Sequence, residues 1–120
     1  MSELYVDGKK VVGSTPIQSI TTLQNGYTGT VVWVVTNGIC TVTTYGIYTT
    51  SSFTTSVPIC DGLPKAKITV IQDVIAQVVP SVDFNHLYIN EASTTLMGRS
   101  SANKTMWSSL TYPVADDWHE

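Results

Sequence analysis

Two histidines and a few carboxylates are the side chains of this sequence best suited to metal binding or acid–base chemistry. His86 follows Asp83 in the segment "DFNHLY", and His119 lies in the terminal segment "DDWHE". Asp83 and His86 would supply two metal ligands, but no spacing of cysteine and histidine resembles a zinc site. Acidic residues at a chain end are usually frayed and solvated. The sequence therefore predicts neither a metal site nor any other cofactor.

Nucleophilic catalysis is the second chemistry that these side chains could support. The members of a Ser-His-Asp triad meet only in the fold, and the sequence has no Gly-x-Ser-x-Gly elbow. A polysaccharide hydrolase would instead need a cleft with convergent carboxylates. The residues that could line such a cleft are Asp73, Asp83, His86 and Glu91. No two of the acids stand in a strand-end pattern typical of an acid and base pair, so we predict a protein that is not an enzyme, with the hydrolase as an alternative.

Aromatic and amide side chains are better suited to recognition. Tyrosine and tryptophan have flat apolar faces with a hydrogen-bonding edge, which stack on sugar rings or anchor an interface. Trp33 and Trp107 lie within apolar runs and are expected in the core. Tyr27 lies in a glycine loop and Phe84 in a polar loop, so both are expected to be exposed. The predicted ligand-binding residues are Asn25, Tyr27, Phe84 and Asn85.

Charge is scarce in this chain, and its scarcity argues against several kinds of partner. Charged residues make up 12% of the 120 residues and the net charge is -3, whereas serine and threonine make up about a quarter. Nucleic-acid binding needs clustered lysine and arginine, so we predict no nucleic-acid partner. No apolar run is long enough to span a bilayer, so we predict no membrane partner. The N-terminal "MSELYVDGKK" lacks the apolar core of a secretory signal, which predicts folding in a cytosol.

The two cysteines, Cys40 and Cys60, fit the same compartment. In a cytosol, thiols are usually reduced, and buried ones pack as small apolar groups. We therefore expect free thiols, with a disulfide as the alternative.

Short β-strands must position these side chains, because helical periodicity is nearly absent and β-branched and aromatic residues recur in short runs. The clearest unit is a hairpin of residues 30–35 and 39–48, which turns at Asn37-Gly38. Strict alternation in its second strand predicts one face formed by Ile39, Thr41, Thr43, Tyr45 and Ile47. Residues 4–12 predict a smaller hairpin or a bent edge strand around Asp7-Gly8.

The C-terminal half predicts the remaining strands. Two prolines and Asp61-Gly62 rule out a central strand in residues 56–66. Residues 67–79 favour a strand, or two strands interrupted at Gln72-Asp73, over a helix, because β-branched residues dominate. Further strands are predicted at residues 87–90, 94–98 and 106–112. About eight short strands indicate an all-β domain, an antiparallel sandwich or barrel.

The order of these motifs resembles the C-terminal domains of bacteriophage tail-fibre, baseplate and minor structural proteins. The box Asn25-Gly26-Tyr27-Thr28-Gly29 precedes a strand pair that turns at Asn-Gly, and a proline turn follows at residues 58–64. A strand ending in "LYIN", a short hairpin and a closing strand "LTYPV" complete the pattern, which covers residues 17–114. The sequence departs from the pattern in "CDGLP", where glycine precedes leucine, and it lacks a repetitive shaft.

This resemblance implies a virion component, which assembles as a homotrimer at the tip of a tail or baseplate and binds host-surface carbohydrate. Its other partners would be virion tail or baseplate proteins, and it would be made in the bacterial cytoplasm. Residues 1–16 would form an N-terminal strand, hairpin or attachment segment, residues 17–114 the head domain, and residues 115–120 an acidic tail. The alternatives are a structural decoration or assembly protein and a free-standing carbohydrate-binding module.

Overall fold

The described part of the backbone forms ten β-strands. A computed structural model describes residues 4–6, 9–12, 15–51, 55–75, 84–99 and 104–119, with side chains described at 15–51, 55–72, 86–99 and 105–119. In this part of the chain there is no helix, so none that could cross a membrane. The strands are β1 Leu4–Val6, β2 Lys9–Val12, β3 Gln18–Ile20, β4 Thr28–Thr36, β5 Ile39–Thr49, β6 Val57–Cys60, β7 Val70–Ile75, β8 Phe84–Ile89, β9 Leu96–Arg99 and β10 Lys104–Pro113.

Eight of these strands form two antiparallel sheets. Sheet I has the order β10-β5-β4-β3, and sheet II has the order β6-β9-β8-β7. The first two strands, β1 and β2, pair separately as the hairpin expected at the N-terminus. The prediction of an all-β antiparallel domain is therefore confirmed, and the proline-containing β6 lies at a sheet edge as its sequence requires.

The core lies between the two sheets and draws on both. Strands β4, β5 and β10 of sheet I and β8 and β9 of sheet II direct alternate side chains inward, whereas β6 buries two consecutive residues, Ile59 and Cys60, beside a register shift. The most deeply buried members are Val31, Val42, Ile47, Met106, Leu110, Tyr112, Ile59, Leu87, Ile89 and Leu96. This arrangement gives each sheet one apolar inner face and one outer face.

Both cysteines are buried free thiols, as expected: Cys40 lies in β5 and Cys60 in β6. Burial raises the pKa of the Cys40 thiol to about 11, partly offset by its hydrogen bond with Tyr112. Burial, with the nearby negative charge of Asp61, raises the pKa of the Cys60 thiol to about 12. Neither thiol is poised as a nucleophile, because only the thiolate reacts.

A bulge in β5 breaks the alternation that its sequence predicts. The register with β4 shifts between Thr28 and Thr30, and Gly46 has a φ of 62°. As a result Tyr45 stays exposed while Ile47 is fully buried, so the prediction that they share a face is wrong. A bulge inserts an extra residue and reverses the facing of the strand beyond it.

The strands of the C-terminal half confirm one expectation and correct another. Strand β7, at Val70–Ile75, confirms the strand favoured within residues 67–79, and it runs unbroken through Gln72-Asp73, so the alternatives of an interruption or a helix there are not present; residues 76–79 lie outside the described residues. Trp107 is 61% exposed, although its neighbour Met106 is buried. An apolar run in a strand places every second residue on the outer face, which local sequence alone does not reveal.

The acidic C-terminal segment is held in place as far as Trp118. The Ala115 N–H donates to the Lys65 carbonyl oxygen at 2.7 Å, and the Lys65 ammonium pairs with Asp117 at 2.8 Å. Trp118 packs edge-on against Trp33, with ring centroids 6.2 Å apart. The expectation of a frayed end is therefore wrong for these residues, because an aromatic anchor and ion pairs secure them.

Candidate functional site

The Asn25–Gly29 box, the first predicted ligand site, forms a tight turn that leads into β4. Asn25 and Gly26 both have left-handed φ angles, 57° and 76°, and the Tyr27 N–H donates to the Gln24 carbonyl at 3.1 Å. This tight turn directs the Tyr27 side chain into the core, where it is only 4% exposed. The expectation that Tyr27 is exposed is therefore wrong, because glycine allows the chain to turn inward as readily as outward.

Asn25 remains at the surface but also has a structural contact. Its side-chain amide donates to the Pro58 carbonyl oxygen at 2.7 Å, and the adjacent Gln24 N–H donates to the Ile59 carbonyl at 2.8 Å. Both acceptors belong to β6 of sheet II, so the box ties the entry of β4 in sheet I to the facing sheet. A ligand role for Asn25 stays a prediction.

Phe84 and Asn85, the second predicted pair, lie in a strand and not in a loop. Their backbones open β8 and pair with Ile75 and Val74 of β7. Strand β8 is two strands away from β6, where Asn25 makes its contact, so the four predicted residues belong to different parts of the fold. The side chains of Phe84 and Asn85 lie outside the described residues, and their role in ligand binding stays a prediction.

The outer face of sheet II carries a polar group that we call the His86 cluster: Ser56, His86, Tyr88 and Arg99. Because Leu87 and Ile89 point into the core, the alternate residues His86 and Tyr88 point outward. The Ser56 hydroxyl lies 2.9 Å from Nε2 of His86, and the rings of His86 and Tyr88 have centroids 5.7 Å apart. Arg99 of β9 is the cross-strand partner of His86.

The members of the His86 cluster are half-buried, and each offers a different polar group. Arginine has five fixed donors, imidazole has a donor or an acceptor on each nitrogen, and the serine hydroxyl can donate and accept. An adjacent row on the same face is mainly apolar, because Tyr88 pairs with Met97 on one side and with the exposed Ile71 on the other. Polar groups beside an apolar row suit a ligand with both kinds of surface, such as a sugar ring.

Among the described side chains, the His86 cluster contains an arrangement that bears on catalysis. The Ser56 to His86 distance is that of a nucleophile and base, and Asp73 of β7 is the backbone partner of His86. The side chains of Asp73 and Asp83 lie outside the described residues. Glu91 follows the opposite end of β8, beyond Ile89, so it does not converge with His86. A full acid and base pair is therefore absent from the described side chains of this face.

Metal binding likewise has no site in the part of the chain that the structure describes. No group of three or more histidine, cysteine, aspartate or glutamate side chains there could hold an ion. The acidic side chains of the C-terminal segment are engaged instead: Asp116 with Lys67 at 3.1 Å and Asp117 with Lys65.

Comparison with known proteins bears on the fold. No protein-family model matches the sequence, and no curated protein matches it. Among solved structures, the crystal structure of the head domain of the lactococcal phage bIL170 matches with a TM-score of 0.57 and 15% sequence identity, over 87% of this chain and 99% of that chain. The chain has the fold of this phage head domain. That structure is described in the context of a common fold for the receptor-binding domains of lactococcal phages.

The phage head-domain fold confirms the resemblance drawn from the order of the sequence motifs. The sequence singled out His86 but not Ser56 or Arg99. Ser56 lies 30 residues before His86 along the chain, and Arg99 follows it on the neighbouring strand β9. Only the pairing of strands β6, β9 and β8 brings the three together. Alternation in "HLYI" was the one local signal that His86 and Tyr88 share an outward face.

Proposed function

We propose that this chain is the receptor-binding head domain of a bacteriophage or prophage, carried in the virion on the tail or baseplate, and that its ligand is a carbohydrate of the host surface. The observation that carries the proposal is the fold, shared over nearly the full length of the phage bIL170 head domain. The low charge of the chain and its many hydroxyl side chains support a neutral, hydrogen-bonding ligand surface.

The His86 cluster is the ligand-binding surface in this proposal. Its arginine and imidazole donors and its serine hydroxyl could bind several hydroxyls of one sugar residue, with Tyr88 beneath the apolar face of the ring. The position of His86 is fixed by the Ser56 hydrogen bond, so little conformational entropy would be lost when a ligand binds.

The assembly in this proposal is a homotrimer attached to other tail or baseplate proteins. Ile17, just before β3, is 71% exposed, and Ile39, at the start of β5, is 42% exposed. Burying such aliphatic side chains between copies would contribute about 25 cal/mol for each Å² removed from water. Sedimentation equilibrium of the domain tests this assembly: a trimer that weakens in Ile17→Ser supports it, and a strict monomer contradicts it.

The function itself is tested with the fluorescently labelled domain. Binding is measured to a panel of lactococcal and related bacterial strains, with and without competing polysaccharide extracted from the strain that binds. We expect saturable binding to a subset of strains and its loss in the presence of that polysaccharide. Failure to bind any strain would favour a structural decoration or assembly protein, and release of sugar fragments from the polysaccharide would favour the hydrolase.

A further inference from the structure

Two aromatic side chains stand out on the outer face of sheet I, opposite in the fold to the His86 cluster. Trp107 of β10 is 61% exposed and Tyr45 of β5 is 50% exposed. Their rings meet edge to face, with centroids 6.3 Å apart and an interplanar angle of 80°. Large aromatic side chains usually bury most of their surface, so two adjacent exposed ones indicate a binding role.

The indole of Trp107 packs against Gly46 in the β5 bulge. A Cβ placed on Gly46 would lie 3.5 Å from Cζ2 of Trp107, so the benzo edge of the indole lies against the bare backbone of that glycine. Tyr45 supports the ring from the side. The indole is thus positioned by the sheet before any ligand arrives, which reduces the entropy lost on binding.

The strands around the two rings carry many hydroxyl groups, and none of the described side chains of β4, β5 and β10 is charged. Strands β4 and β5 contain no aspartate, glutamate, lysine or arginine, and neither do residues 105–113 of β10. On the outer face, Thr43 pairs with Ser109 and Thr41 with Thr111 across β5 and β10. The face therefore offers neutral donors and acceptors beside an aromatic plane and gives no electrostatic preference to an ionic ligand.

We propose that Trp107 and Tyr45 form a stacking platform for the ring of a neutral sugar, a second binding site distinct from the His86 cluster. The apolar C–H face of a pyranose would lie on the indole, and its hydroxyls would bond to the threonine and serine side chains of β5 and β10. As a site on the host glycan this rests on the proposed function. The two rings expose on the order of 200 Å², which fits one sugar ring and is well below the ~800 Å² per partner of a stable protein interface.

The platform is tested by NMR of the tryptophan indole N–H groups. The full chain is titrated with glucose, galactose, rhamnose, N-acetylglucosamine and their β-linked disaccharides. We expect at least one saccharide to shift the indole signal of Trp107 saturably while the signals of Trp33 and Trp118 stay in place. Trp107→Ala should weaken that binding at least about tenfold, whereas Trp107→Phe, which keeps a ring, should retain most of it.

The matched control is Lys67→Ala, which removes an exposed side chain that belongs to neither the two rings nor the His86 cluster and should leave this saccharide binding unchanged. Absence of any saturable shift at Trp107, or equal saccharide affinity in Trp107→Ala, would overturn the platform. Conversion of an oligomer to a monomer by Trp107→Ala would also overturn it, in favour of contact between copies.

Two further outcomes separate the platform from the receptor function. If cells bind the domain but not His86→Ala, and no sugar shifts the Trp107 signal, the platform is rejected and the receptor function is kept. A sugar response at Trp107 without any cell binding would reject only the receptor function.

Discussion

The hydroxyl of Ser56 lies 2.9 Å from Nε2 of His86, and this contact bridges the intervening strand β9 on the outer face of sheet II. The imidazole is held between that hydroxyl and the ring of Tyr88, next to Arg99. Polar side chains that are fixed by one another before binding form a stronger recognition surface than free ones. This contact is the basis for the proposal that the ligand binds to sheet II and not to the Asn25–Gly29 box.

Replacing Tyr27 with alanine should damage stability and not recognition. Its side chain is 4% exposed in the core, so the substitution leaves a cavity and should cost about 3 kcal/mol of the free energy of unfolding. Urea denaturation measures this cost. Under conditions where the variant remains folded, its affinity for cells should equal that of the unaltered domain; a weaker affinity at unchanged stability would show that Tyr27 contacts the ligand.

Gly29→Ala should be among the most destabilising single substitutions in sheet I. Gly29 has a φ of 121°, and a Cβ there would lie 2.6 Å from the backbone oxygen of Gly46. That oxygen belongs to the β5 bulge and cannot move without opening the β4 and β5 pairing. We expect a loss of about 2 kcal/mol or more, measured by thermal or urea unfolding. Gly38→Ala is the control for a positive φ alone, because nothing lies within 4 Å of a Cβ at Gly38.

Stability should fall at alkaline pH because of the two buried thiols. Their pKa values rise from the ordinary 9.0 to about 11 for Cys40 and about 12 for Cys60. Above pH 9 the unfolded chain therefore loses thiol protons that the folded chain keeps, and each thiol lowers the free energy of unfolding by up to about 1.4 kcal/mol per pH unit. The loss continues until the folded-state pKa is passed.

The measurement is urea unfolding at pH 7 to 11, with Cys40→Ala as the comparison. The variant should be less stable at pH 7, because it has lost packing, but its stability should fall less steeply with pH. Ellman's reagent at pH 8 should label neither thiol in the folded domain. An equal pH slope in both proteins, or rapid labelling, would contradict the burial of these groups.

The C-terminal segment should be anchored by its aromatic residue more than by its ion pairs. Trp118 packs against Trp33 and the core, whereas the Lys65 and Asp117 side chains are 35% and 71% exposed. Trp118→Ala should therefore lower the free energy of unfolding by about 1 to 2 kcal/mol, and Asp117→Asn by no more than a few tenths, about the value of an exposed pair. Urea unfolding of both variants in low and high salt decides between the two anchors, and a larger loss for Asp117→Asn would reverse this order.

Much of the fold could be predicted from local patterns. The Asn37-Gly38 turn forms as expected, with φ angles of 52° and 79°, because only a few residue types adopt that geometry between paired strands. The same local reasoning fails at Tyr45 and Ile47, where a bulge reverses the facing of the strand. The bulge depends on the close approach of Gly29 to Gly46, which are adjacent only after β4 and β5 have paired.

The candidate site was less predictable for a related reason. Tyr27 was expected to be exposed because glycine flanks it, yet the turn directs its side chain into the core. Trp107 was expected in the core because its neighbours are apolar, yet the alternation of β10 places it outside. Burial of an aromatic side chain depends on which sheet face it occupies, and Ser56, His86 and Arg99 come together only through strand order.

The most direct test of the receptor-binding account is an adsorption isotherm of the labelled domain on a strain that it binds. His86→Ala and Arg99→Ala are compared with Lys67→Ala, which removes an exposed cation away from the His86 cluster. We expect each of the first two variants to weaken binding about tenfold or more, since each would remove one of the hydrogen bonds proposed to hold the ligand, with unchanged unfolding curves. The Lys67→Ala isotherm should match that of the unaltered domain. Full cell binding by a folded double variant, His86→Ala with Arg99→Ala, would contradict the assignment of the receptor to sheet II.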